Sequence, residues 1–167
     1  MKKLLVMDEK NYTDEMPIFE KNTVRAMIQK GNLIAMQRGK NGVYKIPGGG
    51  VECAESFHDA LIREVVEETG LIVIPETISE IGEIEEIRED SHCAGQKYIS
   101  HSYFYSCSVK DETIQTNMSE NEIKKGYQLE WGTAKEIYET NAHLLKEPWM
   151  DRDTNFIKMI IDGSILL

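Results

Sequence analysis

The sequence predicts a mixed α/β domain, a mixed sheet with helices on both faces. Three observations carry this. Short apolar runs of strand character alternate irregularly with helical segments along the chain. A helix with clear boundaries lies between a run of glycines and a further strand. The 167 residues allow one sizeable core but not two. Hydrophobic residues make 41% and charged residues 29% of the chain, with 4 prolines, which describes a globular rather than a disordered protein. No repeat, low-complexity segment or linker divides it, so a single domain over residues 1–167 is expected. Residues 1–20 are the hardest to read and stand as a candidate N-terminal extension.

Leu4–Met7 reads as a short strand, and Pro17 argues against a helix in that region. Thr23–Gln29 and Leu33–Gln37 are apolar runs joined at Lys30-Gly31-Asn32, a hairpin pattern. Val43–Ile46 reads as a strand closed by Pro47 and three glycines. A helix follows, opened by Ser56 and Asp59 at near capping-box spacing and closed by Gly70. Strands are expected around Ile81–Ile87 and Tyr98–Val109, then a helical turn over Ser119–Lys125 ending at Gly126. Tyr127–Trp131 reads as strand, Thr133 to Glu136 as a capping box opening a helix to about Glu139, and Asn155–Ile161 as a last short helix.

The formal charge is −10, from 19 Lys and Arg against 29 Asp and Glu. That balance argues against a partner bound through nucleic-acid phosphates or an anionic membrane surface, both of which need clustered Lys and Arg. The excess is concentrated. Residues 49–71 hold six acids and one base, and residues 80–90 again hold six acids and one base; the rest of the chain is balanced. Met1 to Met7 begins like a signal peptide, but Asp8 and Glu9 end the apolar run too soon. Cys53, Cys93 and Cys107 are odd in number, far apart and without a Cys-x-x-Cys pair, which argues against a disulfide framework or zinc site and for a cytoplasmic setting.

At ~100° per residue, Glu64, Glu67 and Glu68 fall on one helix face, while Leu61, Ile62, Val65 and Val66 fall on the other. Stacked carboxylates on an anchored helix make a site for a hard divalent cation, and Mg²⁺ favours a few carboxylates completed by water and substrate phosphate. A solvated acidic face is the alternative for a lone Glu-x-x-Glu-Glu. Pro47-Gly48-Gly49-Gly50 weighs against that alternative, because a loop without side chains lets backbone approach a ligand closely. The spacing from Gly49 is regular: five residues to Glu55, seven more before Arg63-Glu64, then Val65, Glu67-Glu68, Gly70 and Leu71. This resembles the complete signature of the Nudix hydrolases, with every defined position met, and a weaker strand pattern extends the resemblance over about Thr23 to Glu139.

The resemblance implies an α/β/α sandwich around a mixed sheet. It implies hydrolysis of a nucleoside diphosphate linked to another group, with Mg²⁺ or Mn²⁺ and an attacking water. Glu64, Glu67 and Glu68 are then expected as metal ligands, with a backbone carbonyl of Gly48 or Gly49 beside them. Glu64 is also expected to orient or deprotonate the water, Arg63 to hold Glu64, and Glu55 to pair with Arg63. Many members add an acid from a later loop, here Glu120 or Glu122; capping-box spacing to Ser119 gives Glu122 another role and favours Glu120. Arg38 and Lys45 are expected to contact substrate phosphate and Tyr44 to stack on a base, although a half-buried tyrosine explains Tyr44 equally.

The second acidic stretch keeps two readings: Glu83, Glu85 and Glu86 as added metal ligands, or a solvated strand face. His101, Tyr103 and Tyr105 alternate on one strand face, as a base pocket or a packed aromatic face. Subfamily markers are missing, since Pro75 comes too early after the signature and the first later tyrosine is Tyr98. By elimination the expected substrate is a (deoxy)nucleoside triphosphate giving a nucleoside monophosphate and pyrophosphate. ADP-ribose or a sugar nucleotide, and a nucleotide-sensing module without turnover, are the alternatives. No nucleic-acid polymer or membrane is expected as partner, and a homodimer is compatible with the sequence.

Overall fold

The computed structural model describes residues 1–144 and 148–166. In chain order the strands are β1 (Lys3–Asp8), β2 (Ile18–Met27), β3 (Gln29–Lys30), β4 (Leu33–Arg38), β5 (Tyr44–Lys45), β6 (Leu71–Val73), β7 (Ser79–Glu89), β8 (Lys97–Ser106), β9 (Val109–Thr113) and β10 (Gln128–Thr133). The helices are α1 (Phe57–Thr69), α2 (Glu120–Lys125), α3 (Ala134–Ala142) and α4 (Pro148–Ile161). The main sheet has the order β1-β7-β8-β2, in which β7 and β8 are antiparallel and the outer pairs parallel. A second sheet joins β10, β4 and β3, with β5 on β4, and β6 pairs with β9.

Two apolar cores lie on opposite faces of this mixed sheet. Ala60, Leu61 and Val65 of α1 pack with Val24 and Ala26 of β2 on one face. Ile137 of α3 and Phe156 and Ile157 of α4 pack with Met27, Ile84 and Phe104 on the other. The Phe104 and Phe156 rings stack 3.9 Å apart. Each such fully buried side chain contributes about 1.5–3 kcal/mol, so both helix layers are anchored by their apolar faces. This is the α/β/α arrangement expected.

Helix α1 begins and ends where the sequence places it. The Ser56 hydroxyl accepts the Asp59 N–H, and Gly70 closes the helix at φ 72°, in the left-handed region where a side chain would be strained. Other boundaries differ. The expected hairpin is the short pair β3/β4, whereas β2 starts earlier and runs parallel to β8, because long-range pairing outweighs the local turn. The strand expected to continue to Val109 breaks after Ser106, and Val109 opens β9 instead. Helix α4 starts at Pro148 rather than Asn155; Asp151, Arg152 and Asp153 interrupt its first half, and the buried Arg152 and Asp153 conceal the apolar periodicity. Strand β1 is integral to the sheet, pairing with β7 and packing Leu4, Leu5 and Met7 against the second core.

Candidate functional site

The glycine loop is held as an added strand against β2. Ala26 N–H donates to the Pro47 carbonyl at 2.8 Å, Val24 N–H to Gly49 at 2.9 Å, and Val51 N–H to Asn22 at 3.0 Å. Gly48 has φ 136°, and a Cβ there would strike the Val24 carbonyl. A Cβ on Gly49 would strike the Glu64 carboxylate. The loop must therefore lack side chains for β2, loop and α1 to close on one another.

The α1 acids meet this loop, each held by a cation of the chain. Arg63 donates to both Glu55 oxygens at 2.8 and 2.9 Å, to Glu64 at 2.8 Å, to Glu67 at 3.2 Å and to the Gly50 carbonyl at 3.1 Å. This fork fixes Glu64 against the loop and holds Glu55 below the usual carboxylate range. Glu68 is buried at 1% exposure and takes the Lys45 ammonium at 2.5 Å and the Gly48 N–H at 2.7 Å. Burial pushes its pKa up to about 7 despite Lys45, helped by a hydrogen bond with Glu122. Burial also acts upward on Glu122, but hydrogen bonds from Glu68 and Ser119 prevail and bring it to about 2.

Two adjoining cavities share Lys21, Arg25 and Lys45. One, of about 430 Å³, is lined by Gly48–Gly50, Glu64, Glu67, Glu68 and Glu122. The other, of about 290 Å³, is lined by Lys21, Arg25, Lys45, Lys125 and Arg152, with Glu122 the one acid among its described lining residues. Arg25 is 6% exposed and donates to the Gly48 carbonyl. Burial and the neighbouring Arg152 guanidinium lower its pKa to about 10.

The structure thus brings Arg63, Glu64, Glu67, Glu68, Gly48, Gly49 and Lys45 together. It leaves three expected residues elsewhere. Arg38 pairs with Glu130 at 2.8 Å and lies over the Tyr44 ring, and Tyr44 is buried with its hydroxyl donating to the same Glu130. Neither lines the two cavities. Glu120 is exposed on α2, whereas Glu122 reaches the cluster while also completing the capping box with Ser119. A cap and a cluster contact are compatible, because one carboxylate oxygen serves Ser119 and the other faces Lys45 at 3.7 Å. Lys21, Arg25 and Arg152 were not singled out from sequence. The available signal was the alternation of Lys21, Thr23 and Arg25 through an apolar strand.

The second acidic stretch does not join the cleft. Glu86 is buried against Arg152 at 3.4 Å, Glu83 contacts His101 at 2.7 Å, and Glu85 takes Lys3 at 2.6 Å. His101, Tyr103 and Tyr105 form a packed face, with Phe57 and His58 of α1 on the two tyrosines.

A divalent cation suits the donor set at the α1 face, which is made of hard carboxylate oxygens beside backbone carbonyls. Among the described residues no three such side chains already surround a common point. Arg63 and Lys45 hold them instead, and the longest of these contacts, Arg63 to Glu67, is the easiest to exchange. No helix among the described residues is long and apolar enough to cross a membrane.

An ADP-ribose pyrophosphatase of Methanocaldococcus jannaschii is 45% identical over 53 residues, 29% of this chain and 31% of that protein. A MutT-like protein of Streptomyces ambofaciens is 32% identical over 71 residues, 42% of this chain and 46% of that one. The chain therefore matches less than half the length of either curated relative. Among solved structures, a NUDIX hydrolase from Nitrosomonas europaea superposes with a TM-score of 0.62 at 21% identity, covering 88% of this chain and 92% of its own. The E. coli ORF135 protein gives 0.51 at 20% identity, covering 91% and 94%. The family model of the NUDIX domain matches residues 20–153, most of the chain, and with it the protein belongs to the Nudix family.

Proposed function

We propose that this chain hydrolyses the pyrophosphate linkage of a nucleoside diphosphate joined to a further group, in a reducing, cytoplasmic setting, with Mg²⁺ as the working ion and Mn²⁺ as a substitute. The observation that carries the reading is a carboxylate face and a cationic cavity side by side, sharing Lys21, Arg25 and Lys45. When bound, the ion supplies positive charge where negative charge develops on phosphate oxygens and lowers the pKa of water. Glu64, Glu67 and Glu68 are the residues to hold it. Glu64, oriented by Arg63, takes the proton of the attacking water as its oxygen bonds to phosphorus and the bridging P–O bond breaks. Glu122 is the loop acid in this reading, in place of Glu120. Lys45 neutralises a phosphate oxygen.

The first substrate class is a nucleoside triphosphate, cleaved to the monophosphate and pyrophosphate. The name of the archaeal relative favours ADP-ribose as the second reading. A screen of nucleotides with Mg²⁺, reading phosphate after a pyrophosphatase or phosphatase chase, separates them. Nucleotide binding by calorimetry without turnover on any substrate would replace both with a sensor function.

A further inference from the structure

Cleavage of a diphosphate needs cations at the diphosphate itself, and the α1 face with Lys45 meets that need. The cavity of about 290 Å³ beside it has charge left over. Of its cations, Lys45 is engaged by Glu68 and Glu122, and Arg152 by Asp153 and Glu86. Lys21, Arg25 and Lys125 form no ion pair among the described residues, in a chain whose formal charge is −10. Arg25 is the telling case. It is 6% exposed, its one hydrogen bond goes to the Gly48 carbonyl, and its Nε has no partner among the described residues. A buried guanidinium with a donor left unpaired is costly unless a ligand completes it.

The sheet register explains how the cations converge. Lys21 and Arg25 project from β2 to the α4 side, and Lys21 stands opposite Ser100 of β8, whose side chain also lines the cavity. Thr23 lies between them in the same wall. Among the described lining residues, five cations and several hydroxyls against the single carboxylate of Glu122 leave this cavity net positive, which matches a phosphate dianion and repels a second metal ion.

We propose that this cavity is a subsite for a further phosphate group of the substrate, beyond the diphosphate that is cleaved, with Arg25 and Lys21 as the selecting residues. The inference rests on the hydrolase reading above and narrows its substrate class. Two kinds of compound share the chemistry: a nucleoside tri- or tetraphosphate, in which the extra phosphate continues the chain, and a diphosphate whose sugar carries a phosphomonoester.

The test has a metal-free arm and a kinetic arm, both on the full chain. In EDTA, inorganic phosphate is titrated calorimetrically into wild type, Lys21→Gln and Arg25→Gln. Wild type binds phosphate, and Lys21→Gln weakens binding about tenfold, the range of one charge-assisted hydrogen bond. Arg25→Gln weakens it further and is read only if its thermal melt stays cooperative; exposed Lys21 supplies the decisive variant otherwise. With Mg²⁺, kcat/KM is compared for a nucleoside triphosphate, a 2′-phosphorylated ADP-ribose and ADP-ribose. One phosphate-bearing substrate exceeds ADP-ribose at least tenfold, which names the source, and Lys21→Gln contracts that preference. Absence of phosphate binding in EDTA, or equal binding by Lys21→Gln, overturns the subsite even when turnover is seen. Phosphate binding lost in Lys21→Gln, without turnover on any substrate, supports the subsite and overturns the hydrolysis.

Discussion

The stretches at residues 49–71 and 80–90 each carry six acids and one base, and on paper they are the same feature. In the fold they are opposites. Three of the β7 acids pair with partners far away in the chain: Glu86 with Arg152 of α4, Glu85 with Lys3 of β1, and Glu83 with His101 of β8. These contacts tie helix and edge strand to the sheet. The acids of α1 are held by Arg63 from the same helix and by Lys45, in a cleft open to solvent. Glu68 is as buried as Glu86, but Glu67 keeps about a third of its side chain exposed, and the α1 cluster faces a cavity beside the glycine loop. Acidic clusters are therefore told apart by where their counter-charges come from.

Substitution of one acid from each stretch should break the comparison most sharply. Glu64→Gln is expected to lower kcat by two or more orders of magnitude, the scale of losing a proton acceptor, with an unchanged melting temperature. Glu86→Gln should do the reverse, costing roughly 1–3 kcal/mol of stability in a denaturant melt while Mg²⁺ binding persists. Equal stability losses in both variants would remove the distinction. A second contrast lies within α2, where Glu122→Gln should slow hydrolysis and Glu120→Gln should leave it near wild type. Equal rates in the two variants would take Glu122 out of the site.

The smallest effect concerns His101. Burial alone would lower its pKa, and hydrogen bonds with Glu83 and Glu20 overcome this and raise it. A raised folded pKa stabilises fully below the unfolded value of about 6.5 and is lost as pH rises through the folded pKa. Stability should therefore fall across that interval in wild type, and His101→Gln should flatten the slope. A slope unchanged by the substitution would show that the β7 acids are held without the imidazolium.

Much of the site was legible because its spacing is local. Glu55, Arg63, Glu64, Glu67 and Glu68 lie on or just before one helix, so a period of 3.6 residues fixes their relative positions. Gly48 and Gly49 were legible because only glycine allows that approach of loop to β2 and Glu64. Arg38 and Tyr44 stand outside the two cavities because their partner, Glu130, comes from β10 through the β4/β10 pairing, which local pattern does not reveal. Capping-box spacing favours Glu120 over Glu122 only where a cap excludes a second contact, and a carboxylate has two oxygens.

The sequence by itself determined the helix with its caps, the carboxylate face, the glycine loop and the mixed α/β class, since each depends on residues close together in the chain. Tertiary structure decided which acids line a cavity and which pair with cations distant in the chain. It also placed Arg25 and Lys21 beside the α1 carboxylate face. Those outcomes depend on parallel pairing of β2 with β8 and on α4 docking Arg152 against Glu86. Such contacts span tens of residues, and their energy comes from burial and charge pairing that exist only once the sheet has formed.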